Sequence, residues 1–200
     1  HNGVVAYPGV AKCLSELKAR NKQILLLSNS PSRAKYMAPQ LHAMGIAPSL
    51  YDHVITSGES THHALKAYEG ARIYCFMENE NPTALEGIRH DRVFDPAQAD
   101  VALISELPRN ATIDHYTNVL EVLMANKTTL ICANPDKVVD VGGKLYPCPG
   151  GISDVYQEMG GQVTWHGKPH APVYDWAFDL FQHPEKSRVL AVGDLSLIHI

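Results

Sequence analysis

The sequence predicts an α/β protein with mainly parallel sheet, on three observations. Apolar runs of strand length alternate with segments of helical periodicity along all 200 residues. Two of these runs, Ile24-Leu25-Leu26-Leu27 before Ser28-Asn29 and Val189-Leu190-Ala191-Val192 before Gly193-Asp194, stop abruptly at small polar or acidic residues. Ligands of open α/β sheets bind just beyond the carboxyl ends of the strands, so a hydroxyl, an amide and a carboxylate are expected at one sheet edge. The third observation is Gly167-Lys168-Pro169, which opens a helix and brings a cation to the same edge. Hydroxyl, ammonium and carboxylate together suit a phosphate with a divalent metal.

The elements follow in order. After Pro8-Gly9, Val10, Cys13, Leu14 and Leu17 have the i, i+3, i+4, i+7 spacing of an amphipathic helix, and a strand follows over 24–27. Pro31 stands where a helix begins, since the first turn does not use its missing N–H. Ala34, Met37, Leu41 and Met44 mark that helix's buried face, Pro39 is expected to kink it, and Gly45 to end it. A strand over 53–56 leads to a helix near 60–68. The middle repeats the alternation, with strands over 72–77 and 101–105 and a short helix over 81–88 after Pro82. Ile113, Tyr116, Leu120, Leu123 and Met124 give a helix over 112–126 one apolar face. A strand over 129–132 ends in Asn134-Pro135-Asp136, 142–151 reads as a Gly- and Pro-rich loop, and a helix over 152–159 precedes a strand over 162–165. Val173, Trp176, Ala177, Leu180 and Phe181 define the last amphipathic helix.

Composition narrows the function classes. A content of 45% hydrophobic residues supports a real core, and a net charge of −4 argues against general nucleic-acid affinity. Cys13, Cys75, Cys132 and Cys148 form no C-x-x-C pair and read as free buried thiols of a reducing compartment. No run approaches the ~18 apolar residues of a membrane span. A missing secretory leader says little in a chain that opens at His1 without a methionine, and a cytoplasmic protein without nucleic-acid or membrane partners is the default expectation.

Each candidate also has a plain local reading. Ser28 suits a helix cap, Lys168 a solvated surface, and Asn-Pro-Asp an ordinary turn. His166 and His170 are separated by Gly167 and Pro169, and His62-His63 point two ways on a helix, so neither pair reads as a metal site.

The ordered set carries more information than its members. Leu27-Ser28-Asn29, Asn134-Pro135-Asp136, Pro149-Gly150-Gly151, Gly167-Lys168-Pro169 and Val192-Gly193-Asp194 resemble, in order and spacing, the class IIA phosphatases of the haloacid dehalogenase superfamily. That group includes pyridoxal phosphate, para-nitrophenyl phosphate and sugar-phosphate phosphatases. His1-Asn2-Gly3 looks like the tail of the family's first motif, Asp-x-x-Gly-Val-x-x-(Asn/Asp)-Gly.

The resemblance implies a Rossmann-like core from residues 1–70 and 163–200, with an inserted α/β cap of the C2 type over 71–162. It implies an aspartate nucleophile that forms an aspartyl-phosphate, with Mg²⁺ neutralising the phosphoryl oxygens. Ser28, Asn29 and Lys168 would be catalytic, Asp194 the metal ligand, and Asn2, Gly3, Asn134 and Asp136 substrate-binding. The substrate would be a small phosphorylated metabolite, and the protein a homodimer through the cap.

Both ends depart from the pattern. The nucleophile is expected six residues before His1, and His199 stands where a second acid normally follows Asp194. The tail 195–200 looks foreign to the family, so a fragment lacking the nucleophile is expected. A non-catalytic phosphometabolite-binding domain is the alternative, and a dinucleotide enzyme lacks its G-x-G-x-x-G.

Overall fold

The computed structural model describes residues 5–77, 82–141 and 143–193. Helix α1 (Val10–Ala19) starts at Gly9, whose φ of 84° is a conformation only glycine adopts without strain. Strand β1 (Leu25–Ser28) follows, and α2 (Ala34–Ala43) carries Pro39 inside it and buries Met37 and Leu41. Strand β2 (His53–Thr56) lies parallel to β1, with Ser28 opposite Thr56. Met37, Leu41 and Ile46 form a small core to which Val10, Leu14, Leu26 and Val54 add partly buried surface. Helix α3 (Ser57–Leu65) leaves β2 at once, and the Thr56 hydroxyl oxygen caps it by accepting from Glu59 N at 3.0 Å.

The middle of the chain builds a larger layer. Strands β3 (Arg72–Cys75), β4 (Asp91–Val93) and β5 (Val101–Ile104) precede α4 (Thr117–Ala125) and β6 (Thr129–Cys132). An antiparallel hairpin of β7 (Val138–Val141) and β8 (Lys144–Pro147) leads to α5 (Pro149–Glu158), β9 (Val163–Trp165) and α6 (Ala171–Leu180). Five of these strands form an all-parallel sheet in the order β4-β3-β5-β6-β9. Because side chains alternate along a strand, β5 sends Ala102 and Ile104 to one face and Val101 and Leu103 to the other. Leu120 and Leu123 of α4 and Ile152 and Tyr156 of α5 cover the first face. Leu65 of α3 covers the second with Leu85 and Ile88. Burial on both faces is why the central strands β5 and β6 read as nearly continuous apolar runs.

Several expectations are corrected. The stretch 142–151, expected as a loop, contains β8 and the start of α5, because Gly143, with φ +82°, suits a hairpin turn. The helix expected over 81–88 is a single 3₁₀ turn, Thr83–Leu85, with Asn81 outside the described residues. The helix over 112–126 opens as a 3₁₀ turn with Ile113 exposed, and β4 was not foreseen because Asp-Arg-Val is too short and polar to stand out. Val189–Val192 is no strand in the structure, and Leu190 and Val192 are 85% and 86% exposed. Among the described residues no strand lies beside this run, and a strand needs a hydrogen-bonded neighbour. Cys13 is exposed, unlike the buried Cys75, Cys132 and Cys148. Strand β9, assigned above to the terminal core, hydrogen-bonds to β6.

Candidate functional site

The carboxyl ends of β1, β6 and β9 meet the first turns of α3 and α5. Strand β1 delivers Ser28, whose hydroxyl oxygen accepts from Ser30 N at 3.2 Å in a local turn. That contact uses the oxygen and leaves the O–H as a donor. The next residue, Asn29, is buried at 7% exposure. Its Oδ1 accepts from Lys168 N at 2.7 Å and has Ser57 Oγ at 3.5 Å. Its Nδ2 donates to Lys168 O at 2.9 Å and to Asp136 Oδ1 at 2.8 Å. One carboxamide thus joins Ser28's strand end, the Lys168 turn and the Asn134-Pro135-Asp136 turn, residues distant in sequence.

Glycines permit that approach. Gly167 has φ +124°, and a Cβ there would lie 2.3 Å from Ser57 Oγ and 2.7 Å from Asn29 Oδ1. Gly150 N donates to Asp136 O at 3.0 Å, and a Cβ on Gly150 would lie 2.0 Å from Pro135 O. The same device recurs at α3, where Gly58 N donates to Ser30 O at 3.0 Å and a Cβ would lie 1.9 Å from Pro31 O. Each Asn-bearing turn is therefore seated on a glycine in the first turn of a helix. Within its turn, Asn134 Oδ1 accepts from Asp136 N at 3.1 Å, so the Asn134 side chain shapes the backbone locally. The Lys168–Pro169 peptide is cis.

The surrounding polar groups brace this junction. Glu59 accepts from Arg33 Nη2 at 2.8 Å and from Ala34 N at 3.0 Å, tying α3 to the start of α2. Burial pushes the Glu59 carboxyl up, but the Arg33 and Ala34 bonds outweigh it and hold it below its ordinary value. His166, at the end of β9, donates its N–H to Cys132 O at 3.0 Å, and its Nδ1 lies 2.9 Å from Ser60 Oγ. Burial, with the nearby His170 adding to it, pushes His166 down to about 4. His170 stacks on Trp165 with centroids 4.7 Å apart. His62 Nδ1 meets Ala84 O at 2.8 Å, and His63 lies against Trp176. Burial raises the Cys132 thiol to about 12, so it stays protonated and unreactive.

Of the expected site residues, Ser28, Asn29, Lys168, Asn134 and Asp136 converge at this junction. Asn2, Gly3 and Asp194 lie outside the described residues. Ser57, Gly58 and Ser60 were not singled out, Gly150 entered only within Pro149-Gly150-Gly151 and His166 only as a rejected metal ligand, although Thr56-Ser57-Gly58 directly after a strand carries the signal of a close backbone approach. Among the described residues no three His, Cys, Asp or Glu side chains cluster as a metal requires. The junction's carboxylate, Asp136, already accepts from Asn29. The described residues therefore do not by themselves fit a magnesium site.

Residues 1–89 match the sequence model of the haloacid dehalogenase-like hydrolases. A haloacid dehalogenase-like hydrolase from Brucella suis superposes with a TM-score of 0.88 at 28% identity, over 98% of this chain and 74% of that one. Over residues 1–89 the chain is similar in sequence to the haloacid dehalogenase-like hydrolases, and over nearly its whole length it shares the fold of that Brucella suis protein. A 4-nitrophenylphosphatase from Thermotoga maritima shares the fold at 24% identity and a TM-score of 0.69, over 92% of this chain and 72% of that one. A p-nitrophenyl phosphatase from Archaeoglobus fulgidus does so at 19% identity and 0.68, over 90% and 71%. No curated protein matches the chain. Among the described residues no helix is long and apolar enough to cross a membrane.

Proposed function

We propose that this protein is a phosphoric monoester hydrolase of class IIA type acting on a small phosphorylated metabolite. The observation that carries the reading is the buried Asn29 carboxamide, which holds the Lys168 turn against the strand end bearing Ser28. The nucleophile is an aspartate upstream of His1, which forms and then loses an aspartyl-phosphate. Ser28 donates its O–H to a phosphoryl oxygen, and Lys168 stabilises charge developing on the transferring group. Magnesium, held with Asp194, supplies charge neutralisation when bound.

We assign the five-stranded sheet to the cap and move its end from 162 to about 166, since β9 pairs with β6. The cap closes over the site and excludes water. Exposed Val138, Val139 and Leu145 on the hairpin support a homodimer through the cap, the free thiols support a cytoplasmic protein, and the net charge of −4 speaks against nucleic acid as a partner.

The test is phosphate release from para-nitrophenyl phosphate by the longer protein that includes the upstream aspartate, with magnesium and with a chelator. Magnesium-dependent turnover is expected. Lys168→Met keeps the stem and removes the charge, so kcat falls ~10²-fold or more. Near-normal kcat in that variant overturns the role of Lys168. Turnover by the 200-residue chain alone at the longer protein's rate shows that the nucleophile lies elsewhere.

A further inference from the structure

We propose that Asn29 is a positioning residue whose carboxamide locks the Asp136 turn and the Lys168 turn into one register, so that the group facing the leaving part of the substrate and the cation facing the phosphoryl group move as a unit. The proposal rests on the phosphatase reading for its consequence, and on geometry alone for the lock.

A carboxamide has two N–H donors and one oxygen with two acceptor positions. In Asn29 both donors are used, one on Asp136 Oδ1 at 2.8 Å and one on Lys168 O at 2.9 Å. The oxygen takes Lys168 N at 2.7 Å and has Ser57 Oγ at 3.5 Å on its other side. The side chain is saturated by the protein, which leaves nothing for substrate. This assigns it a different role from the catalytic one expected from the motif.

Lys168 is gripped at both its N–H and its C=O, the way a residue is held by a neighbouring strand, although it lies in a turn. The bond to the Asp136 carboxylate is charge-assisted and hence among the stronger kinds. Asn29 is buried and its partners half-buried, so its loss leaves Lys168 N, Lys168 O and the Asp136 carboxylate without this bond. Asp at position 29 cannot substitute, because it has no N–H for Lys168 O and sets a second carboxylate against Asp136. Small displacements of a group aligned with a reacting centre cost up to ~10²-fold in rate.

The test is a double-mutant cycle in the longer protein, read as kcat and KM on para-nitrophenyl phosphate and as urea midpoints. Asn29→Ala is expected to lower kcat by ~10²-fold with KM changed only a few-fold. Adding Asp136→Ala to it is expected to lower kcat no more than about threefold further, because the two act together. Asn29→Asp is expected to be as poor as Asn29→Ala, and Asn29→Asp with Asp136→Asn to recover ~10-fold, since the carboxylate then accepts from the new amide. Independent, multiplicative effects or no recovery in the exchanged pair overturn the proposal. If the unaltered protein releases no phosphate, the phosphatase reading fails separately, and the urea midpoints decide the lock. A loss on Asp136→Ala that is at least halved in the Asn29→Ala background supports it, and fully additive losses overturn it.

Discussion

His166 shows how one buried side chain imposes a pH dependence. Its folded value of about 4 lies below the ~6.5 of an unfolded histidine, so the unfolded chain binds the proton first as pH falls. The stability tied to neutral His166 is therefore complete above ~6.5 and is lost as pH drops toward 4, with a slope of up to about 1.4 kcal/mol per pH unit. Asp100 titrates in a lower window. Its hydrogen bonds with Arg72 hold it at about 2, so its small, exposed contribution is lost only between the ordinary carboxylate range and that value. Urea unfolding at pH 7 and pH 4.5 separates the two. His166→Asn keeps a polar atom for Ser60 but does not titrate, so it should lose less stability than the parent over this interval. Parallel losses in parent and variant would remove His166 as the responsible group.

At the scale of the element, α5 begins with two adjacent glycines that the structure uses differently. A Cβ on Gly150 meets Pro135 O at 2.0 Å and Asp136 O at 2.7 Å, whereas one on Gly151 meets only Lys137 O at 3.6 Å, an ordinary contact. Alanine favours a helix over glycine by about 1 kcal/mol, a gain available at 151 and overwhelmed at 150. Gly150→Ala is expected to cost about 2 kcal/mol or more in chemical denaturation, because backbone must move, and Gly151→Ala to be neutral or mildly stabilising. Equal effects at the two positions would mean that the turn yields freely. In the same helix, Tyr156 donates from its hydroxyl to Thr128 O at 2.7 Å inside the core. Tyr156→Phe should cost about 1 kcal/mol by leaving that carbonyl unpaired.

Across the whole molecule, the smaller β1–β2 layer and the five-stranded sheet are joined at several polar points, among them Arg33 N to Thr83 Oγ1 at 3.0 Å and the Lys35–Glu86 ion pair. Asn29 reaches Asp136, Ser60 reaches His166, and Leu65 of α3 enters the core of the larger sheet. Under the proposed function Asp136 faces the substrate, so its substitution alters substrate choice in addition to loosening the Asn29 lock. Asp136→Ala should shift the relative kcat/KM among phosphate esters and leave the magnesium requirement nearly intact. An altered magnesium requirement with an unchanged ester profile would assign this turn to the metal instead.

Local patterns were enough for much of the fold. Apolar runs and 3.6-residue periodicity located β1, β2, β5, β6 and α1, because burial writes its period into the residue order. The motifs after β1 and β6 and before α6 were legible as polar residues at strand ends. Where tertiary contact decides structure, the order of residues was mute. Strand β4 exists because β3 offers it hydrogen bonds, and Val189–Val192, more apolar than β4, is no strand because no described strand lies beside it. From the sequence β9 was assigned to the terminal core, and only its pairing with β6 puts it in the larger sheet. Asn29, Asp136 and Lys168 can each be read as site residues from their motifs. That one buried carboxamide binds the other two follows from three chain segments meeting in space, since hydrogen bonds across 107 and 139 residues leave no periodic trace in a sequence.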